Sequence, residues 1–307
     1  MERGRMYGRS GRSPRRVARR AAAGAAALVA GTLLVACTGS TSPGSTSPGS
    51  TSSASSPAAT ERPPTSRAEY LPGLTANVWE PAAPGPGPLV VLIPGGGWIT
   101  ADPAGLAPLA SALADAGMTV VTATYRTSTT DTYFPGPLED VLCAVAYAAA
   151  LPTVTGDAPH PIVVVGHSAG ANLAALAALT PEAGSPSCPY QPVAPDALVG
   201  LAGPYDVAQV PEIGVSLFGK APQEAPTAWV DGNPVHQAGN RVDLPVLLLH
   251  GEDDSDVSTS FTTGFADALK AGGHDVTVKL VPGADHSGIY QADVAAQPLI
   301  TWIDALP

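Results

Sequence analysis

The stretch "VVVGHSAGANLAAL", residues 163–176, ends an apolar β-branched run on Gly166-His167-Ser168-Ala169-Gly170 and enters an Ala-rich run at once. The preceding "PIVVV" (161–165) reads as a buried strand, because continuous Val and Ile suit a strand covered on both faces. A strand that passes into a helix with no intervening loop leaves room only for small residues beside the turn, hence Gly166 and Gly170. Such a Gly-x-Ser-x-Gly turn is a nucleophile elbow, which lifts a serine hydroxyl above the sheet edge at a helix N-terminus. A Gly-rich turn with Ser168 as a plain helix cap is the competing reading. The strand before and the helix after favour the elbow.

Outward from the elbow the pattern alternates. Strand-like apolar runs fall at 75–79, 89–93, 119–123, 162–165, 197–201, 246–249 and 276–281, and helical runs at 106–116, 138–150, 172–179, 259–271 and 291–305. This alternation predicts an α/β fold with a mostly parallel central sheet and helices on both faces, over residues 68–307. Between about 204 and 242 the rhythm lapses into Pro and Gly. An irregular, cap-like segment over the carboxyl edge of the sheet is expected there, where loops carry function.

A serine hydroxyl at neutral pH needs a base, and the base needs an orienting acid. After an elbow serine the chain order is acid, then His. His236, His250, His274 and His286 follow Ser168. His286, in "VPGADHSG" past the last strand, can swing over the elbow. His274 precedes that strand and belongs to the opposite edge, His250 ends a strand and reads as structural, and His236 in the irregular segment is the rival. The acid belongs just past "PVLLLH", where Glu252, Asp253, Asp254 and Asp256 crowd together, and composition does not choose among them. His167 beside the serine reads as packing. Tyr125-Arg126 and Asp140 read as packing and ion-pair residues.

These motifs together resemble the α/β-hydrolase esterases of the "HGGGW" type. That group includes acetylesterases and hormone-sensitive-lipase-like enzymes, with feruloyl-esterase-like and kynurenine-formamidase-like neighbours. The resemblance runs from Leu89 to the C-terminus. It rests on "PGGGW" (94–98), "TYR" (124–126), "FPGPLEDVLCAV" (134–145), "GHSAGANLA" (166–174), "GPYD" (203–206), "LLLHGEDDSDV" (248–257) and "GADHSG" (283–288). It implies a serine carboxylesterase without cofactor or metal, acting on a small ester. The family pattern HG-x-x-D-x-x-V implies Asp254 as the acid, with Asp256 second. By resemblance Gly96, Gly97 and Ala169 supply the oxyanion N–H groups, and Trp98 either lines the acyl pocket or packs beneath the loop. Pro94 stands where the family has His, so the loop is expected to be braced differently. An amidase, formamidase or exopeptidase on the same triad is the second reading. A non-catalytic binding lipoprotein with a defective oxyanion loop is the third.

The N-terminus carries a different message. Residues 1–36 hold eight Arg and one Glu, then an apolar stretch from Ala21, which reads as an export signal. Its apolar part is shorter than a comfortable transmembrane helix. Leu34-Val35-Ala36-Cys37 resembles a bacterial lipobox, implying lipidation of Cys37 and a location on the outer face of the cell membrane. Residues 37–67, with repeated "TSPGS", are expected to be a disordered tether reaching roughly 30 Å. Without the signal, seven basic residues face 25 acidic ones, a net charge of −18. Such a surface repels nucleic acid and anionic lipid, so the lipid must hold the protein to a membrane. Cys143 and Cys188 then form an even pair, expected as a disulfide in an exported protein. Neither metal-ligand spacing nor a phosphate-binding glycine loop occurs.

Overall fold

A computed structural model describes residues 61–307 apart from positions 84, 86, 155–159 and 185. The expected signal, Cys37 and most of the tether lie outside the described residues. The strands are β1 (Ser66–Leu71), β2 (Leu74–Trp79), β3 (Leu89–Ile93), β4 (Thr119–Ala123), β5 (Ile162–His167), β6 (Ala197–Leu201), β7 (Val246–Gly251) and β8 (Val276–Val281). They form one sheet in the order β1-β2-β4-β3-β5-β6-β7-β8. The β1–β2 and β2–β4 pairs are antiparallel, and every pair from β4 to β8 is parallel.

The helices are α1 (Ala107–Asp115), α2 (Gly136–Ala149), α3 (Ala169–Leu179), α4 (Pro211–Phe218), α5 (Pro226–Asp231), α6 (Thr259–Gly272) and α7 (Ala292–Ile303). Side chains of each central strand alternate between two cores. Leu89, Val91 and Ile93 of β3 join the core with residues of α2, α3 and α6, while Val90 and Leu92 join the one with residues of α1 and α7. That two-sided burial is why these strands read as unbroken apolar runs. From β3 the chain steps to β4 on one side and then returns to β5 on the other. The carboxyl ends of β3 and β5 therefore sit at the switch point of the sheet, where α/β folds place their sites.

The structure corrects three expectations. The folded body begins before residue 68: β1 starts at Ser66, and the Arg62 N–H donates to Ser111 Oγ at 2.9 Å while its side chain pairs with Asp115 at 2.6 Å. β1 carries no apolar run, because all but one of its residues are partly or fully exposed and it follows a linker composition without a break. The 204–242 segment is not irregular throughout, since it contains α4 and α5. Both open on a proline and run eight and six residues, too short to display a helical period. α3 begins at Ala169 rather than 172, directly on the serine.

Cys143 on α2 is bonded to Cys188 in the loop beyond α3, closing 45 residues. Arg126 and Asp140 form the ion pair expected of them, with the Arg126 N–H and guanidinium both on a carboxylate that is 1% exposed.

Candidate active site

Ser168 joins β5 to α3 with φ 52° and ψ −123°. A positive φ is strained for a residue with a Cβ, and it persists only where the surroundings impose it. Here both sides are pinned: the Ser168 N–H donates to Leu201 O and its C=O accepts from Ala171 N, each at 2.9 Å. The flanking glycines are required by contact. A Cβ on Gly166 would lie 2.2 Å from Gly170 O, and one on Gly170 would lie 2.4 Å from the carbonyl oxygens of Ile93 and Pro94.

The Ser168 hydroxyl donates to His286 Nε2 at 2.9 Å, and His286 Nδ1–H donates to Asp254 Oδ2 at 2.7 Å. These proton positions are assigned from the partners. The structure thus brings together the three residues expected to form a triad, from the ends of β5, β7 and β8. The Asp254 side chain is buried and the His286 side chain is 14% exposed. Burial alone would raise the Asp254 carboxyl. The Val257 N–H, His286 and the Asp256 N–H oppose it and hold the group below the usual carboxylate range. The loop bearing His286 docks on the end of β7, where Asp253 N donates to Ala284 O at 3.0 Å. Gly251 permits that approach, since a Cβ there would lie 2.1 Å from Ala284 O.

Two further histidines hold this arrangement. His167 Nε2–H donates to the His286 carbonyl at 2.9 Å, and its ring packs between those of His286 and Tyr290. Burial, then the neighbouring His286, pushes its pKa down to about 3, so it stays neutral. His250 is completely buried and lies on the far side of Asp254. Its Nε2 is 3.1 Å from Asp254 Oδ2 and 2.9 Å from Val257 O, both acceptors, so that nitrogen bears the proton. Its Nδ1 accepts from Thr262 Oγ1 at 2.6 Å. Burial lowers its pKa, partly offset by Val257 O and Asp254. His250, which lies near the end of β7 and reads as structural in the sequence, therefore also orients the acid. The signal for more was present in its spacing four residues before Asp254, within the HG-x-x-D pattern. The rivals fall elsewhere: His274 is buried against Leu244 O, and the exposed His236 sits against Val230 O.

The glycine loop follows β3. Gly96, Gly97 and Trp98 have φ of 130°, 61° and 58° in succession. Among the described residues, the N–H groups of Gly96 and Gly97 donate to no acceptor, and Ala169, first in α3, has no intrahelical acceptor. The loop borders an open cavity of about 360 Å³ that Ser168 and His286 also line, together with Asp102 and Tyr290. Of the two alternatives for Trp98, packing is the one observed: the side chain is 1% exposed and does not line the cavity. The 204–242 segment, expected to be cap-like, contributes no residue to the lining of this cavity. Tyr125, expected to pack only, also donates its hydroxyl to Pro94 O at 3.1 Å. Among the described residues, no group of three or more His, Cys, Asp or Glu is placed to hold a metal ion.

A protein-family model described as BD-FAE matches residues 78–269. The chain is 32% identical over 198 residues to the probable carboxylic ester hydrolase LipM of Mycobacterium tuberculosis, covering 61% of this chain and 46% of that protein. It is 29% identical to the esterase LipQ of the same organism, covering 73% of this chain and 57% of LipQ. The chain therefore spans about half the length of these curated relatives. Among solved structures, a truncated carbohydrate esterase from gut microbiota superimposes with a TM-score of 0.63 at 20% identity, over 75% of this chain and 89% of that one. The propionate-bound esterase 2 of Thermogutta terrifontis gives a TM-score of 0.60 at 24% identity, over 75% and 87%. At these identities the structural likeness speaks to the fold.

Proposed function

The chain belongs to the BD-FAE family of α/β-hydrolases, and from that premise we propose that it is a serine carboxylesterase acting on small esters through an acyl-enzyme. Ser168 Oγ attacks the ester carbonyl while His286 Nε2 takes its proton. Asp254 holds the imidazole in the required tautomer and stabilises the imidazolium that forms. The N–H groups of Gly96, Gly97 and Ala169 receive the oxyanion, a contribution that is often the largest in acyl transfer. His286 then protonates the departing alcohol, and water attacks the acyl-enzyme by the same route in reverse.

The observation that carries this reading is the continuous hydrogen-bonded line from Ser168 through His286 to Asp254, opening on the cavity that the glycine loop borders. The esterase names of the mycobacterial relatives favour ester over amide substrates. Ser168→Ala is expected to remain folded and to cut kcat on p-nitrophenyl acetate by about 10⁴. Turnover within about tenfold of wild type, a loss of only ~1.4 kcal/mol, would sink the proposal.

Export and lipid anchoring are also proposed, on the lipobox-like residues 34–37. Labelled fatty acid should enter the wild-type chain and not the Cys37→Ala variant. Equal labelling of both would refute the anchor at this residue.

A further inference from the structure

We infer that Tyr125 is the positioning residue of the oxyanion loop in this chain, its phenol holding the loop through the Pro94 carbonyl. The inference rests on the proposed esterase reading and concerns how its glycine loop is held.

The far half of the loop is secured several times over. The Ser128 N–H and hydroxyl both donate to Trp98 O at 3.1 Å, and Thr127 Oγ1 donates to Ile99 O at 2.9 Å. The N–H groups of Ile99 and Thr100 close on Gly96 O at 3.0 and 3.1 Å. The near half is different. It leaves β3 at Pro94, which has no N–H to give, and passes through glycines that impose few torsional limits of their own. On that half, the hydrogen bond among the described residues is the one from Tyr125 to Pro94 O, at 3.1 Å.

That contact reaches the donors through covalent geometry. A peptide unit is planar, so holding the Pro94 carbonyl fixes the orientation of the Gly95 N–H and the direction in which the chain enters Gly96. The same carbonyl faces Gly170 at the start of α3, where a Cβ would lie 2.4 Å from it. Tyr125 therefore sets the glycine loop against the helix that begins at Ala169, bringing the two sources of oxyanion N–H into register. Tyr125 is 3% exposed, and burial raises its pKa, so the hydroxyl keeps its proton throughout the working range.

The test compares Tyr125→Phe with Trp229→Phe, which also loses a buried ring donor to a carbonyl, Lys220 O at 2.9 Å, but outside the cavity. Removing an oxyanion donor outright costs about 10²–10³ in kcat, so displacing the loop is expected to cost about tenfold. KM should stay within twofold, and a trifluoromethyl ketone inhibitor should weaken by the factor lost in kcat/KM, because ground-state binding does not use the oxyanion N–H groups. Trp229→Phe should lower the melting temperature without that split. Substituting 4-fluorophenylalanine for Tyr125 keeps the length of the side chain, guarding against misfolding, and should reproduce the loss. Substituting 4-aminophenylalanine restores a donor at the same point and should recover most of it. Full kcat in the Phe and fluorophenylalanine variants, or no recovery with the amino analogue, would overturn the inference. A wild-type enzyme without ester turnover would instead refute the proposed function.

Discussion

Asp254→Asn keeps the shape of the side chain and removes its charge, and the consequence follows from its partners. Oδ1 accepts from the N–H groups of Asp256 at 2.9 Å and Val257 at 2.8 Å. Oδ2 accepts from His286 Nδ1 at 2.7 Å and His250 Nε2 at 3.1 Å. All four neighbours are donors, whereas an amide brings one acceptor oxygen and two N–H groups. If the amide oxygen stays on the backbone N–H groups, the amide NH₂ faces His286. The imidazole then turns a lone pair to it and carries its proton on Nε2, toward Ser168, where it cannot take the serine proton. If the amide flips, the turn at 254–257 loses its acceptor. The expected loss in kcat is about 10⁴, or ~5.4 kcal/mol at 1.36 kcal/mol per decade. The comparison variants are Asp253→Asn and Asp256→Asn, whose hydrogen bonds come from their backbone N–H groups. They should stay within about threefold of wild type, as surface substitutions rarely exceed ~0.5 kcal/mol. Initial rates on p-nitrophenyl acetate, with circular dichroism to establish folding, decide the matter. A dead Asp256 variant, or an Asp254 variant within tenfold of wild type, would refute the assignment.

Cys143→Ser with Cys188→Ser opens a loop of 45 residues, for which chain entropy assigns about 4 kcal/mol. For a domain of this size that is a drop in Tm of roughly 8–16 °C by calorimetry with kcat retained below melting, and an unchanged Tm would contradict it. His167→Phe should flatten the acid dependence of stability. With its folded pKa depressed to about 3, His167 contributes fully above the unfolded value near 6.5, and that contribution is lost as the pH falls toward 3. Between pH 7.5 and 5 the wild type should lose about 2 kcal/mol in urea titrations that the variant does not lose; parallel curves would rule this out. Gly170→Ala forces a Cβ to 2.4 Å from two carbonyl oxygens, so little folded protein is expected, and a soluble variant with wild-type Tm would show that α3 can move away from β3.

What the sequence determined by itself lies within a few residues along the chain. The runs at 89–93, 119–123 and 197–201 coincide with β3, β4 and β6, because strands buried on both faces are built mostly of apolar residues, and the run at 276–281 coincides with β8, a half-exposed edge strand whose Val and Leu are interrupted by Thr277 and Lys279. The elbow was legible for a related reason: Gly166 answers to sterics inside a five-residue turn, where a Cβ would meet Gly170 O, while the need for Gly170 comes from the end of β3 packed against it. Tertiary structure decided whatever depends on which loops meet. Four carboxylates lie between 252 and 256, and composition treats them alike. Asp254 is singled out by the register of β7 against β8, which carries its carboxylate to a histidine 32 positions away, itself bonded to a serine 118 positions away. The reach of Tyr125 to Pro94 across 31 positions, and of His250 to Thr262 across 12, is likewise set by sheet order and helix packing. Side chains such as these look like ordinary core residues until the fold puts one particular carbonyl or hydroxyl within 3.1 Å of them, because hydrogen bonds depend on distances in space that residues far apart in the chain do not specify locally.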